Sequence, residues 1–291
     1  MKKYQPLTVL LLTLISLSSV FGQNSILWEV SGNGLTTTSY LHGSLKFIGE
    51  KEFIIHQEIE KRLKMAGLFA IEDQVNHHAQ HELNKAIHFP KGESLETLYS
   101  TADFNKIQSF FQSQFGISKK KFSKTYAKIK PLALSIAMTR LSLHEEVKFY
   151  DMELLKMANN LKMKTYSLEA IDREAEAFNA FPIEDQATAL LHSIDNFDKQ
   201  KDEYLKLEAA YIQGDIDKVF EYSLHPFEKN ATFMEEFYFK RNLEWLPKIE
   251  SMIAENISFI SVGVTHMEGE KGLLNLLKEK GYTLTPIQVT D

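Results

Sequence analysis

His266 is the side chain in this sequence that is best placed to do chemistry. It follows an apolar, β-branched stretch, residues 257–264, whose pattern predicts a buried strand. Ligands of α/β proteins usually bind at the carboxyl ends of strands, and a neutral imidazole can donate a lone pair to a divalent ion there. A histidine that caps the strand end without binding anything is the alternative interpretation.

Glu72 ends a second predicted strand, residues 68–72, and is followed by Asp73. On the predicted strand 39–47, side chains alternate, so His42, Ser44 and Lys46 share one face. His42 lies about 13 Å from Lys46 along an extended strand and cannot take its place. We interpret His42 as a partly buried strand histidine. Nothing supplies Ser44 with a base, which argues against serine catalysis.

Three further histidines follow Glu72. His77 and His81 lie one helical turn apart, which is the spacing of paired ligands in zinc-binding helices. The glutamate of the His-Glu-x-x-His pattern is absent, because position 78 is histidine. Exposed helix histidines are therefore the favoured interpretation. The chain has no cysteine, which excludes thiolate metal sites, cysteine nucleophiles and disulfides.

Two similar units must position these groups. Residues 257–287 predict a strand, a loop, a helix that ends at Gly281, and a second strand. Near the start, a hairpin (26–30 and 39–47), a helix (51–66) and strand 68–72 follow a similar plan. Residues from about 76 to 222 are mostly helical, and the helical pattern over 233–255 is predicted to break near Leu246, before a proline. We predict a single α/β domain, residues 23–291, with a central mixed β-sheet built from both chain ends, flanking helices and a helical middle.

The bulk composition narrows the class of protein. The chain has 291 residues, a formal net charge of −6 and no stripe of lysine or arginine, which argues against a nucleic-acid partner. Residues 1–22 have a basic start, a short apolar core and small residues before Gln23, which predicts a cleaved signal peptide; an uncleaved anchor is the alternative. No later stretch approaches about 18 apolar residues, so we expect a soluble extracytoplasmic protein, periplasmic or secreted, with no stable membrane span after cleavage.

Several motifs, in order along the chain, resemble those of the TraB/GumN family, the bacterial relatives of the Tiki proteases. The carboxyl-terminal segment GVTHMEGEKGLLNLLKEKGYTL is similar to the family's closing signature, and ILWEVSGNGLTTTSYLHGSLKF is similar to its opening one. FAIED (69–73) resembles the family's strand that ends in glutamate. SLEAIDREAEAFNAFPIEDQ (167–186) and KRNLEW (240–245) resemble its middle and late signatures.

This resemblance implies a metal-dependent peptidase whose site uses two Gly-x-x-His motifs and a glutamate. The second motif is intact and ends in His266, and the glutamate corresponds to Glu72, so both are implied as catalytic residues and metal ligands for Mn, Co or Zn. The first motif, residues 43–46, ends in Lys46 instead of histidine. An ammonium donates no lone pair and repels a metal ion, so Lys46 is expected to pair with Glu72 where the metal would be. Arg241, in the Arg-Asn-x-x-Trp pattern, could hold a substrate carboxylate or pair with Glu72.

Two hypotheses follow. The chain could be an exported metal-dependent hydrolase of peptides or a related small-molecule substrate, using Glu72 and His266, with Lys46 and Arg241 as substrate-binding residues. It could instead be an inactive family member, a pseudoenzyme, that keeps the cleft as an extracytoplasmic binding module. Glu169 and Arg173 are interpreted as surface or helix-start charges, outside the site.

Overall fold

A computed structural model of the chain describes residues 25–73, 77–223 and 230–289. It is an α/β fold with a six-stranded mixed sheet in the order β6-β4-β7-β2-β1-β8, and a separate ribbon of β3 and β5. The strands are β1 (Leu27–Gly32), β2 (Ser39–Ser44), β3 (Ile48–Gly49), β4 (Leu68–Ile71), β5 (Val147–Lys148), β6 (Lys164–Ser167), β7 (Ser258–Gly263) and β8 (Tyr282–Pro286).

Strands from both ends of the chain share the sheet, as predicted. β4 pairs in parallel with β6 and β7, and β7 pairs in parallel with β2. β1 is antiparallel to both β2 and β8. The register places Ser44 opposite Gly263, so β2 and β7 end level with each other. Because the carboxyl ends of parallel strands meet at one edge, the segments after β2, β4 and β7 converge.

The three central strands are almost wholly buried, which explains why β4 is a continuous apolar run and why the polar residues of β2 and β7 are mainly small serines. Helices flank them, since α7 packs against β4 and β6, and α13 packs against β7. The helices are α1 (Gln57–Met65), α2 (His77–Ile87), α3 (Leu95–Leu98), α4 (Thr101–Phe115), α5 (Lys119–Thr125), α6 (Pro131–Ser142), α7 (Tyr150–Asn160), α8 (Ile171–Ala180), α9 (Ile183–Asp195), α10 (Phe197–Ile212), α11 (Ile216–Ser223), α12 (Ala231–Met234), α13 (Lys240–Glu255) and α14 (Leu273–Glu279).

The middle of the chain is helical, as predicted, and has apolar cores of its own. One is rich in aromatic side chains, including Phe104, Phe111 and Phe122, which are nearly inaccessible to solvent. A second forms around Phe178 and Phe233. The largest core surrounds the sheet and draws on both chain ends. The two cores of the helical middle are thus separate from the core around the sheet. A cleft lies between the strand ends and these helices.

One prediction about the last long helix is wrong. Helix α13 runs through Pro247 without ending near Leu246. The irregularity lies earlier, where Glu235–Phe239 forms a π-helical segment that leads directly into α13. Pro247 cannot donate the hydrogen bond of its helical turn. Trp245, Leu246 and Ile249, on both sides of the proline, are buried, and their packing stabilises the continuous helix.

Two predictions concern residues that the structure does not describe. The predicted signal peptide, residues 1–22, lies outside the described residues, and so do the side chains of His77 and His78. In the described part of the chain, no helix has both the length and the apolar character needed to cross a bilayer.

Candidate active-site cleft

Glu72 and His266 come together at the carboxyl edge of the sheet. Glu72 follows β4, and His266 ends a 3-10 turn, Val264–His266, that follows β7. The His266 Nε2 atom lies 3.9 Å from Glu72 Oε1. Glu72 Oε1 also accepts the backbone N–H of Gly263 at 2.5 Å, which ties the end of β4 to the end of β7. The two groups that the sequence identifies as candidates therefore share one site.

Arg241 links the two groups and has no N–H donor left over. Its Nη2 donates to Glu72 Oε2 at 3.0 Å, and its Nη1 lies 3.3 Å from His266 Nε2 and donates to the carbonyl of Phe237 at 2.9 Å. Its Nε and Nη2 donate to Glu169 at 2.7 to 3.1 Å. A guanidinium has five N–H donors, and these contacts use all of them. Only 1% of Arg241 is exposed.

His266 is held as a neutral imidazole with a defined tautomer. Asn242 donates its amide N–H groups to the carbonyls of His266 and Lys271, so its Oδ1 faces His266 Nδ1, 2.7 Å away, as an acceptor. The proton therefore sits on Nδ1, and Nε2 carries the lone pair. Burial lowers the pKa of His266 to about 3; the charge of Glu72 acts to raise it, and the charges of Arg241 and Lys46 act to lower it. The short His266–Glu72 approach is thus not an ion pair at neutral pH.

Glu72 is ionised despite its burial. Burial alone would raise its pKa, but His266, Arg241 and Lys46, together with the Gly263 N–H, lower it to about 2. Since His266 is neutral above acidic pH, the two cations are what hold the carboxylate charged at neutral pH. The site thus contains a fixed negative charge beside a neutral imidazole.

The π-helical segment explains how one helix supplies three of these contacts. Arg241, Asn242 and Trp245 project from the first turns of α13 into the site, and the Trp245 ring packs 4.4 Å from the His266 ring. Trp245 Nε1 also donates to Glu169 at 3.0 Å. The π-helical turn just before them presents the carbonyl of Phe237 to Arg241. Such segments are frequent at functional sites because they rotate the side chains that follow them.

The prediction that Lys46 pairs with Glu72 is wrong, because Lys46 pairs instead with Glu174 on α8, at 3.4 Å. The Glu174 carboxylate is the main cause of the raised pKa of Lys46, to which Glu72, Asp73 and Asp151 contribute. Lys46 therefore stays an ammonium. Its side chain is 66% exposed, because it extends into the cleft in front of the sheet.

A second polar network lies behind Lys46. Asp151 accepts hydrogen bonds from Ser44 at 2.8 Å and from Ser261 at 3.4 Å, and Ser261 in turn contacts His42 Nδ1 at 3.0 Å. Tyr211 lies 3.2 Å from His42 Nε2. His42 is completely buried, which fits its interpretation as a strand histidine. Burial raises the pKa of Asp151 to about 6, helped by the charge of Glu72.

The cleft that these residues line holds about 310 Å³. Its polar floor comes from the ends of β2, β4 and β7, and its other walls come from the helical middle, chiefly α6, α8 and α10. Most of those walls are apolar or aromatic, among them Ile136, Phe178 and Phe237. The volume is at the lower end of the range for small-molecule sites.

A family model described as the TraB/PrgY/gumN family matches residues 26–286. The chain belongs to this family. No curated protein and no solved structure matches it. The match covers both the strands that form the floor of the cleft and the helices that form its walls. The family resemblance predicted from the sequence is confirmed.

The metal ion implied by the family resemblance does not fit the side chains of this family member. Arg241 directs N–H groups at both predicted ligands, Glu72 and His266, and the ammonium of Lys46 replaces the third. In the described ranges, no group of three or more His, Cys, Asp or Glu side chains is arranged to hold a metal ion. Metal ligation and catalysis by Glu72 and His266 stay predictions, and so does substrate binding by Arg241 and Lys46.

Sequence analysis missed three acidic residues, two that line the cleft and one that pairs with Arg241. Glu169 was interpreted as a surface or helix-start charge, and this is wrong, because it is 6% exposed and forms a bidentate pair with Arg241. Its position just after β6, like that of Glu72 after β4, was the available signal. Asp151 and Glu174 lie on helices α7 and α8, and no local pattern marks them. Arg173 does lie at the surface, paired with Glu244.

Proposed function

We propose that this TraB/PrgY/gumN family member binds a small ligand in the cleft without a metal ion. In this proposal, the ammonium of Lys46 and the guanidinium of Arg241 supply the positive charge that a metal would otherwise bring. The observation that carries the proposal is the contact of Arg241 with both Glu72 and His266. The chain is then a binding module, or pseudoenzyme, built on the family's fold.

The chemistry of the two cations supports this proposal. A guanidinium keeps its charge at any pH a protein tolerates, so Arg241 cannot vacate the site by losing a proton. A metal ion bound by Glu72 and His266 would have to displace Arg241 from both, and would place a second cation beside the buried guanidinium. The raised pKa of Lys46 keeps a second cation beside the same position.

A direct metal measurement tests the proposal. The purified chain is incubated with Mn, Co or Zn, desalted, and analysed for metal. We expect the natural chain to retain no stoichiometric metal, and Lys46→His to gain uptake that Glu72→Gln abolishes in the double variant. Lys51→His, on an exposed turn, is the matched control for an added histidine. Stoichiometric metal in the natural chain would refute the proposal.

A second candidate function is a metal-dependent peptidase. It is favoured by one observation, the lone pair of His266 Nε2, which is oriented by Asn242 and lies 3.9 Å from Glu72 Oε1. Under this alternative, Mn, Co or Zn would stimulate cleavage of a peptide library. Glu72→Gln and His266→Ala would each abolish the cleavage in folded protein. A library left intact under all three metals excludes the alternative.

We also propose that the chain is exported and works outside the cytoplasm. The support is the signal-peptide pattern of residues 1–22. Expression of the full chain followed by cell fractionation should give an extracytoplasmic product whose amino terminus is Gln23. A cytoplasmic product that retains Met1 would exclude export.

A further inference from the structure

Carboxylates outnumber cations among the groups that line the floor of the cleft or are hydrogen bonded to those groups. Even with one proton shared between Asp73 and Glu174, which are hydrogen bonded to each other, four negative charges face two positive ones. Every group that raises the pKa of Lys46 is an acid. The charged groups are Glu72, Asp73, Asp151, Glu169 and Glu174 on the acidic side, and Lys46 and Arg241 on the basic side.

The acids are not equivalent, because Asp151 is the one that can still accept a hydrogen bond from a ligand. Arg241 spans Glu72 and Glu169, and Lys46 contacts Glu174. Asp151 has no cation within ion-pair distance among the described residues, and the hydrogen bonds that it accepts from Ser44 and Ser261 both reach Oδ1. Its other oxygen is therefore available to a donor in the cleft, which Asp151 lines.

Aromatic rings stand next to this acidic floor. Phe233 and Phe237 stack with their centroids 4.8 Å apart, and Phe178 meets Phe237 edge to face at 5.3 Å. All three rings line the cleft. Ring faces attract organic cations, and more strongly when water is excluded. An apolar body that carries a positive charge would thus match both surfaces at once.

A buried hydroxyl on α6 gives an independent sign of a ligand. Ser135 is only 4% exposed and lines the cleft, yet its Oγ has no hydrogen-bond partner among the described residues. Buried polar atoms are rarely left unsatisfied, because burying one without a partner is costly. The next residue of α6, Ile136, also lines the cleft and is 42% exposed, although it is a large apolar residue. A ligand with a polar group and an apolar body could form a hydrogen bond with Ser135 Oγ and cover the side chain of Ile136.

We propose that the cleft binds a protonated organic amine with an apolar or aromatic body, with its ammonium at Asp151 and a polar group at Ser135. The inference rests on the proposed function, since it assigns the ligand class of the same metal-free cleft. It requires no chemical step. Lys46 opposes the ligand's charge and so limits its affinity.

Calorimetry on the full chain with three probes of the same shape tests the ligand class. The probes are 4-phenylbutylamine, 4-phenylbutyrate and 4-phenylbutanol. Binding of each is measured once with a metal chelator present and once with Mn added. We expect the amine to bind at least about tenfold more tightly than the other two, which is the size of one charge-assisted hydrogen bond. A carboxylate or alcohol that binds as well as the amine, or no binding by any probe, overturns the inference.

Three variants assign the contacts. Asp151→Asn should weaken the amine about tenfold and leave the alcohol unchanged, whereas Lys46→Met should tighten the amine. Ser135→Ala should cancel the extra affinity of 4-(4-aminobutyl)phenol over 4-phenylbutylamine. Asp202→Asn, at an exposed pair with Lys206, is the matched control and should change nothing. Thermal unfolding of each variant checks its folding, and an Asp151→Asn chain that is folded but binds the amine normally contradicts the assignment.

The two proposals fail in different ways. Stoichiometric metal in the natural chain refutes the metal-free function, whichever probe binds. Selective binding of the carboxylate by metal-free protein leaves that function intact and refutes only the ligand class.

Discussion

At the scale of single residues, Arg241 decides how the site is held. It is almost completely buried, and it compensates Glu72 and Glu169 at once. A cation–π contact also stabilises Arg241, since its guanidinium lies 4.8 Å from the centroid of the Trp245 ring. A buried charge that loses its partner pays the full cost of desolvation. The chain offers a comparison nearer the surface, Arg173, whose Nε–H is shared between the two carboxylate oxygens of Glu244.

Replacing each arginine by methionine should therefore separate buried from exposed pairing. Arg241→Met should lower the free energy of unfolding by about 3–5 kcal/mol, because two carboxylates are left without a partner. Arg173→Met should cost no more than about 1 kcal/mol. Urea unfolding at neutral pH measures both. Equal losses would mean that the Arg241 pairs contribute no more than surface pairs.

Contacts between individual side chains were the hardest feature to predict from the sequence. Glu72 and His266 could be found because each follows a buried strand, and strands are visible in local apolar patterns. Glu169 lies 72 positions from Arg241, and nothing local shows that the two meet. The Lys46–Glu72 pair was expected for chemical reasons, yet Glu174 on α8 competes for Lys46, and Arg241 competes for Glu72. Such competition is decided by tertiary packing alone.

At the scale of elements, the close approach of β2 to the turn after β7 positions His266. Gly43 lies where a Cβ atom would come within 2.5 Å of Met267 Sδ, 3.1 Å of Val264 Cγ2 and 3.2 Å of the Val264 Cα atom. Val264 and Met267 belong to the turn that carries His266 and the residue after it. The glycine of the first family motif is therefore required by the packing of the second.

Gly43→Ala should destabilise the chain by about 1–3 kcal/mol, because the turn must move to admit a methyl group. Gly67→Ala is the control, since a Cβ there meets nothing within 4 Å. It should be neutral or stabilising by up to about 1 kcal/mol, through lower entropy of the unfolded chain. Denaturation followed by circular dichroism gives both values. Equal effects of the two substitutions on the free energy of unfolding would show that the turn after β7 can shift without loss of stability.

Helix α13 shows why a local rule for proline failed. Pro247 is exposed and cannot donate the main-chain hydrogen bond of its turn, yet buried residues on the opposite face keep the helix continuous. Packing of this kind has no signature in a single sequence. Five strands of the six-stranded sheet, whose apolar runs are local, could be predicted to within a few residues, and so could the helical character of the middle.

Pro247→Ala should raise the free energy of unfolding by about 1–3 kcal/mol, because alanine restores the hydrogen bond in a helix interior. Pro131→Ala is the matched control at the first position of α6, where no hydrogen bond is lost. It should be neutral or slightly destabilising. Thermal and urea unfolding of both variants provide the measurement, and a loss of stability in Pro247→Ala would contradict this account of α13.

At the scale of the whole molecule, buried neutral histidines couple folding to pH. Burial lowers the pKa of His42 to about 3, with a contribution from His56, and lowers that of His266 to about 3. Both side chains sit where the two chain ends meet in the sheet. Below the unfolded value of about 6.5, the unfolded chain takes up protons that the native chain excludes. Stability from these groups is therefore complete above that pH and is lost as the pH falls.

Asp151 acts in the opposite sense over part of this range. Its pKa is raised to about 6, so the native chain binds its proton before the unfolded chain does, and this favours folding as the pH falls from about 6 to about 4. Asp73 acts in the same sense as Asp151, because burial and the neighbouring Glu174 raise its pKa. The lowered pKa of Glu72 adds a loss of stability below about 4.5. These acids offset part of the loss from the histidines between pH 6.5 and about 4.5, so the contribution of a histidine is measured by comparing a variant with the natural chain.

Urea unfolding at a series of pH values from 7.5 to 4.5 tests this expectation. His42→Gln removes one of the two groups, so its slope between pH 6.5 and 5.5 should be shallower by up to about 1.4 kcal/mol per pH unit. His192→Gln, at an exposed position, should leave the natural slope unchanged. A His42→Gln chain that keeps the natural slope would mean that the native sheet admits a charged imidazole at this position.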